Sequence, residues 1–225
     1  MAWASEFVGK SCDFNMGTLV VTEFVSIDGV FEDPGGADGY EHAGWTFEYD
    51  RGADGDQYKF DELNAAEIQL LGSITYEAFV KAWPSQEGDF ADKINHGRKY
   101  VVSSTLTSPE WENTTVISDN VPDEIARLKK ETEGPILVAG SGTLVGTLAN
   151  DLVDELRLMV FPTVLGRGRR LFPEGVDRLK FRLVETRTVG PDGVLVPILI
   201  GPTRIGRSRG LLGGFSRCLQ RISNR

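Results

Sequence analysis

Histidine, cysteine and methionine are all scarce in this 225-residue chain, at two, two and three residues. The two cysteines, Cys12 and Cys218, stand near opposite ends. They supply neither a disulfide framework nor a multi-cysteine zinc site, and at most one bridge between the termini. His42 and His96 have no cysteine and no second histidine near them in sequence. A hydrolase of the nucleophile-elbow type needs Gly-x-Ser-x-Gly, and Gly140-Ser141-Gly142 lacks the spacer residue on each side of the serine. The Gly-x-x-x-x-Gly-Lys-Ser/Thr phosphate loop is missing, as is the Gly-x-Gly-x-x-Gly fingerprint near the N-terminus. Asp50, Asp54 and Asp56 lack the spacing and closing glutamate of a calcium loop, and no metal site is expected. No apolar run approaches the roughly 20 residues of a membrane helix. Residues 1–15 carry Glu6, Lys10 and Asp13 where a secretion signal is apolar, so a cytoplasmic location is expected.

Charge is unevenly spread. The formal net charge is −9, yet from Thr203 onward there are six arginines and no acids, leaving 18 basic against 33 acidic groups before it. An acidic body argues against nucleic acid as a partner, and no membrane partner is expected. The Gly-rich, Arg-rich tail reads as a mobile extension or as a segment that folds back on the acidic body.

Two glycine-marked junctions stand out. Ile68-Gln-Leu-Leu71 runs into Gly72-Ser73-Ile74-Thr75, and Ile136-Leu-Val-Ala139 runs into Gly140-Ser141-Gly142-Thr143-Leu144. In each, a buried-strand pattern gives way to Gly with Ser or Thr and then to a helical pattern, the geometry that offers free backbone N–H groups and a positive dipole end to an anion. Two such junctions in one domain point to a ligand with a pyrophosphate or separated phosphates. With few acid–base or metal groups available, the chemistry is expected to come from a cofactor such as a nicotinamide dinucleotide.

Periodicity predicts a strand over 18–27 and then a Gly- and Asp-rich segment over 28–56, either a functional flap or a solvated loop with aromatic anchors. A helix over 61–67, the strand at 68–71, a helix over 75–82, a strand from Lys99, a short strand over 114–118 and a helix over 122–131 follow. After the second junction comes a helix over 143–150, then strands over 155–161, 181–189 and 194–200, the last two joined by the turn Gly190-Pro-Asp-Gly193. This order predicts an α/β, three-layer αβα fold with a mainly parallel sheet and an antiparallel C-terminal hairpin. Pro197 predicts that the last strand is an edge or stops early. The expected domain is 16–202, preceded by an N-terminal extension, 1–15, and followed by the tail, 203–225.

The chain resembles the dihydrofolate-reductase-like family, specifically the stand-alone form of the RibD C-terminal reductase domain. The match is carried by Ser26-Ile-Asp-Gly29, Leu71-Gly-Ser-Ile-Thr-Tyr-Glu77, Tyr100-Val-Val-Ser-Ser-Thr-Leu106, Gly140-Ser-Gly-Thr-Leu144, Leu152-Val-Asp-Glu-Leu-Arg157 and Pro162-Thr-Val-Leu-Gly166 with Leu171-Phe172, in the family order. The deaminase signature of the two-domain relatives is missing. The resemblance implies NADPH, held by Gly72, Ser73, Ile74 and Thr75 and by Gly140, Ser141, Gly142, Thr143 and Leu144, with Ser103, Ser104 and Thr105 beside the adenosine ribose. Ser26, Asp28 and Gly29 would border nicotinamide and substrate. Asp154 and Glu155 would stand at the substrate end of the cleft or be surface acids before a strand. The implied activity is NADPH-dependent reduction of a small heterocycle, of the 5-amino-6-(5-phosphoribosylamino)uracil type, in a homodimer. A non-catalytic nucleotide-binding or scaffold role, and dihydrofolate reduction, are the alternatives. Ser73 stands where the family commonly has arginine, which removes a bidentate phosphate donor and predicts about tenfold weaker cofactor binding unless another arginine replaces it.

Overall fold

A computed structural model describes residues 17–204 apart from 38, 149–151, 175 and 177. The expected extension and nearly all of the Arg-rich tail, with both cysteines, lie outside these residues. The order of elements is β1 (Leu19–Ser26), α1 (Gly52–Ala65), β2 (Ile68–Gly72), α2 (Ser73–Ala82), α3 (Asp89–His96), β3 (Lys99–Val102), β4 (Thr114–Ile117), α4 (Val121–Glu131), β5 (Ile136–Ala139), α5 (Gly142–Leu148), β6 (Glu155–Phe161), β7 (Leu179–Val189) and β8 (Val194–Arg204).

The strands form one sheet in the order β4-β3-β2-β5-β1-β6-β8-β7. All contacts from β4 through β6 are parallel, and β8 pairs antiparallel with both β6 and β7. The first strand among the described residues is therefore central, which is why Leu19-Val-Val and Val25 are apolar on both faces of the sheet. On one face Leu19, Val21, Leu70 and Val138 pack with Ile125 and Leu128 of α4 and with Leu144 and Val145 of α5. On the other, Val20, Leu71 and Leu137 pack with Leu63 of α1, Tyr76 of α2 and Ile94 of α3. Neighbouring strands β2 and β5 thus send their chains away over opposite faces. Such a reversal opens a crevice at the carboxyl ends of the strands, where α/β sheets bind ligands.

Several sequence expectations are corrected. β8 is neither an edge nor short: it runs to Arg204, two residues into the expected tail, with Pro197 opposite Thr186 of β7 and the β6 register unbroken around it, from Arg157 opposite Ile198 to Val160 opposite Leu195. An N–H in an antiparallel strand points to one neighbour only, so Pro197 costs one ladder bond, and the nearby irregularities of β7 absorb it. Helix α1 starts nine residues earlier than expected, and α3 was not foreseen because its eight residues, Asp89-Phe-Ala-Asp-Lys-Ile-Asn-His96, bury only Ala91 and Ile94. The segment before α1 is pinned, not free. Trp45 is buried and donates its indole N–H to Glu32 O, Tyr40 donates to Arg167 O, and Val30 bridges Arg170. No helix among the described residues is long and apolar enough to cross a membrane.

Candidate functional site

The two junctions meet at the carboxyl end of the sheet, where Leu71 of β2 lies opposite Ala139 of β5. They hold each other: Gly72 N–H donates to Ser141 Oγ at 2.6 Å, and Thr75 Oγ1 donates to Gly140 O at 2.5 Å. Glycine is needed here for close approach. A Cβ on Gly72 would stand 2.7 Å from Ser141 Oγ, and one on Gly140, whose φ is +68°, would stand 2.8 Å from the Thr75 side chain. Gly142 is covered in the same way by the Phe31 ring, over which the Arg169 guanidinium lies 5.9 Å from the centroid. Thr143 and Leu144 follow in α5, with Leu144 buried; the Thr143 side chain lies outside what is described.

What remains turned outward is the start of α2. Its N-cap Gly72 makes no side-chain cap bond, so the first-turn amides at Ser73, Ile74 and Thr75 have the positive end of a ten-residue helix behind them and no capping side chain. Gly72 pairs with Val102, so Ser103 stands beside Ser73 at the end of β3. Ser103 is buried and its Oγ accepts the N–H groups of Thr105 and Leu106, turning the chain and leaving Ser104 and Thr105 exposed. Around the same end, Ile27, Ile74 and Val164 are exposed apolar side chains, in a protein whose other large apolar groups are mostly buried. Flat apolar surface beside uncapped amides fits a ligand with both rings and phosphates.

Ser26, Asp28 and Gly29 form a tight turn at the end of β1. Gly29, at φ +81°, donates its N–H to Ser26 O, and Ser26 Oγ donates to Asp28 Oδ1 at 2.7 Å. The Asp28 carboxylate also accepts N–H from Leu165 and Gly166 and so ties the segment after β6 to the turn. Burial pushes this carboxyl up, but the bonds from Ser26 and the two amides outweigh it, and the net shift is downward. Arg167, Arg169 and Arg170, the arginines of the segment after β6, are engaged with acids of the segment before α1: Arg169 with Glu32, Arg170 with Asp28 and Arg167 with Glu41.

Asp154 and Glu155 are not brought to this end. Val20 is opposite Glu155, whereas Ser26 is opposite Phe161, so the two acids stand at the amino end of the sheet. There Asp154 accepts the Leu19 N–H, 135 residues away in sequence, at 2.8 Å and pairs with Lys129, while Glu155 pairs with Arg157.

Sequence reasoning missed two buried acids. Glu23 of β1 lies just past the last β1–β5 pair, Thr22 with Ala139, where β5 turns away into α5. Its Oε1 accepts the Ser141 N–H at 3.2 Å. Burial pushes its carboxyl up to about 8, against the Ser141 amide, the charge of Lys59 and the Gly140 amide, which all pull it down. The other is Glu62 of α1, which takes Lys59 Nζ at 2.7 Å and Thr22 Oγ1 at 2.9 Å, with Arg157 at 3.8 Å. Among the described residues its second oxygen and the hydroxyl of buried Tyr58 make no hydrogen bond of ordinary geometry. An acid inside an otherwise apolar central strand was the available signal for Glu23. Among the described residues no group of three or more His, Cys, Asp and Glu side chains is placed to hold a metal.

The model of the RibD C-terminal domain family matches residues 17–195. The uncharacterized protein YyaP of Bacillus subtilis (strain 168) is 33% identical over 135 residues, 57% of this chain and 71% of that protein. Among solved structures, a putative riboflavin biosynthesis protein from Shewanella sp. PV-4 aligns with TM-score 0.66 at 19% identity, over 83% of this chain and 99% of that one. The dihydrofolate reductase from Enterococcus faecalis, solved with NADP(H), aligns with TM-score 0.54 at 18% identity, over 85% and 98%. At these identities the structures establish the dihydrofolate-reductase-like fold.

Proposed function

The chain belongs to the RibD C-terminal domain family, and on that premise we propose that it is an NADPH-dependent reductase of a small heterocycle, of the 5-amino-6-(5-phosphoribosylamino)uracil reductase type. The observation that carries the reading is the meeting of two glycine junctions at the β2–β5 chain reversal, beside the uncapped start of α2. NADPH, when bound, supplies the hydride. The chain's part is to bind and orient: the amides at Ser73, Ile74 and Thr75 take phosphate, the hydroxyls of Ser104 and Thr105 lie beside them, and the apolar faces of Ile27, Ile74 and Val164 suit the rings. The turn Ser26-Ile-Asp-Gly29 then borders the reacting end. The expected assembly is a homodimer, with a second copy on the outer edge of β7, whose Leu183 and Val184 are exposed.

Fluorescence titration with NADPH and NADH, followed by NADPH oxidation against a panel of pyrimidine and pterin substrates, tests the activity. Saturable binding that favours NADPH, with turnover of a pyrimidine, is expected. Binding without turnover of any substrate overturns the enzyme in favour of a nucleotide-binding protein. The Ser73 departure and the mutual pairing of Gly72, Thr75, Gly140 and Ser141 favour that second reading, because these groups satisfy one another without a ligand.

A further inference from the structure

Glu23 has a place in the fold that the reductase chemistry alone does not require. It is 5% exposed and sits on the floor of the crevice where β5 ends. A short chain of hydrogen bonds leads from it to both junctions: Glu23 Oε1 accepts the Ser141 N–H, Ser141 Oγ accepts the Gly72 N–H, and Thr75, 3.4 Å from Ser141 Oγ, donates to Gly140 O. The peptide between Gly140 and Ser141 is thereby held at both its polar groups, its N–H by the Glu23 carboxyl group and its C=O by Thr75.

The groups around Glu23 define its electrostatics. From α1 the charge that reaches it is Lys59, itself paired with Glu62; the turn between β5 and α5 brings the Ser141 and Gly140 amides to it; its partner on β6 is Leu158. An ionised carboxylate here stands behind the Gly140–Ser141 segment that is bonded to Gly72 and Thr75 at the start of α2, where the proposed reading puts the dianionic phosphate, and like charges brought together in a buried setting disfavour each other's presence.

We infer that Glu23 is a positioning residue for the cofactor phosphates, acting through the Gly140–Ser141 peptide, and that cofactor binding takes up a proton on its carboxyl group. The inference rests on the reductase reading above. The proton comes from solvent and goes to a carboxylate oxygen of Glu23, leaving the peptide bond to Ser141 oriented by a neutral acid. Because burial pushes this carboxyl up to about 8, the uptake appears on the alkaline side of neutrality.

The test is calorimetric titration of the full chain with NADPH at pH 6.5 and pH 8.5, each in two buffers of different ionisation enthalpy. Proton uptake is expected at pH 8.5 and little at pH 6.5, with affinity falling roughly tenfold from pH 8 to pH 9.5. Glu23→Gln keeps an acceptor for the Ser141 N–H and cannot titrate, so its affinity is expected to lose that pH dependence. Binding at both pH values without proton uptake overturns the inference and leaves the reductase reading standing, whether or not the variant folds. The same alkaline loss in Glu23→Gln also overturns it. No binding at pH 6.5 overturns the reductase reading and the inference together.

Discussion

Two glutamates are buried to nearly the same degree, Glu23 at 5% and Glu62 at 4% exposed, and their surroundings are opposite. Glu62 lies under α1 against Lys59, Thr22 and Arg157, so cations meet its charge directly. Glu23 lies at the crevice with the amides of Ser141 and Gly140 and the field of Lys59, and burial outweighs them and pushes its carboxyl up. The difference teaches that depth alone does not decide what a buried carboxyl group meets; the partners within about 4 Å do. One acid belongs to the scaffold, and the other sits where a ligand changes its surroundings.

Removing the partner side of this contrast has the largest expected effect. Glu62→Ala leaves Lys59 and Arg157 facing a buried hydroxyl without their acid and is expected to cost about 3–5 kcal/mol in urea unfolding. An unchanged midpoint would show that the network is held by solvent and not by the pair.

The next effect tests Glu23. Its folded pKa is raised from 4.5 to about 8. Between these values the native state holds the proton that the unfolded chain releases, so this contribution to stability is full below about 4.5, declines as pH rises, and is gone above 8. Glu23→Gln is therefore expected to gain on the parent by up to about 4 kcal/mol between pH 5 and pH 8, read from unfolding at several pH values. A constant difference across that range would show that the carboxyl group is not protonated in the fold.

Gly140→Ala separates the crevice from the scaffold. It strains a residue at φ +68° and drives a methyl against Thr75, so a loss of about 1–3 kcal/mol is expected together with weaker NADPH binding. Loss of stability with unchanged binding would place the ligand elsewhere. Ser73→Arg gives the smallest effect, on binding alone. Restoring a guanidinium at the start of α2 is expected to tighten NADPH about tenfold with little change in unfolding; no gain would mean that phosphate does not lie there.

The crevice itself was legible in the sequence. Both strand-to-helix junctions stand where the residue patterns put them, because glycine, hydroxyl and apolar runs leave local signals. The parallel sheet and its C-terminal hairpin were legible for the same reason. What was not legible depends on register. Nothing local in Asp154 or Glu155 tells which end of β6 faces the crevice, and only the pairing of Val20 with Glu155 settles it. The interior position of β8 was hidden by Pro197, whose cost depends on which side its missing N–H faces. Glu23 lay in plain view in an apolar strand, but its role comes from Ser141, 118 residues away.

The central place of β1 has a consequence for how the protein is made. β1 leaves the ribosome with apolar side chains on both faces, and its partners β5 and β6 come more than a hundred residues later, the clasp from Leu19 to Asp154 spanning 135. Until residue 161 has emerged, the nascent chain carries an unpaired, sticky ribbon that cannot be completed by anything nearby in sequence. Translation speed and holdase chaperones therefore bear on the yield of this protein alongside the stability of its finished core.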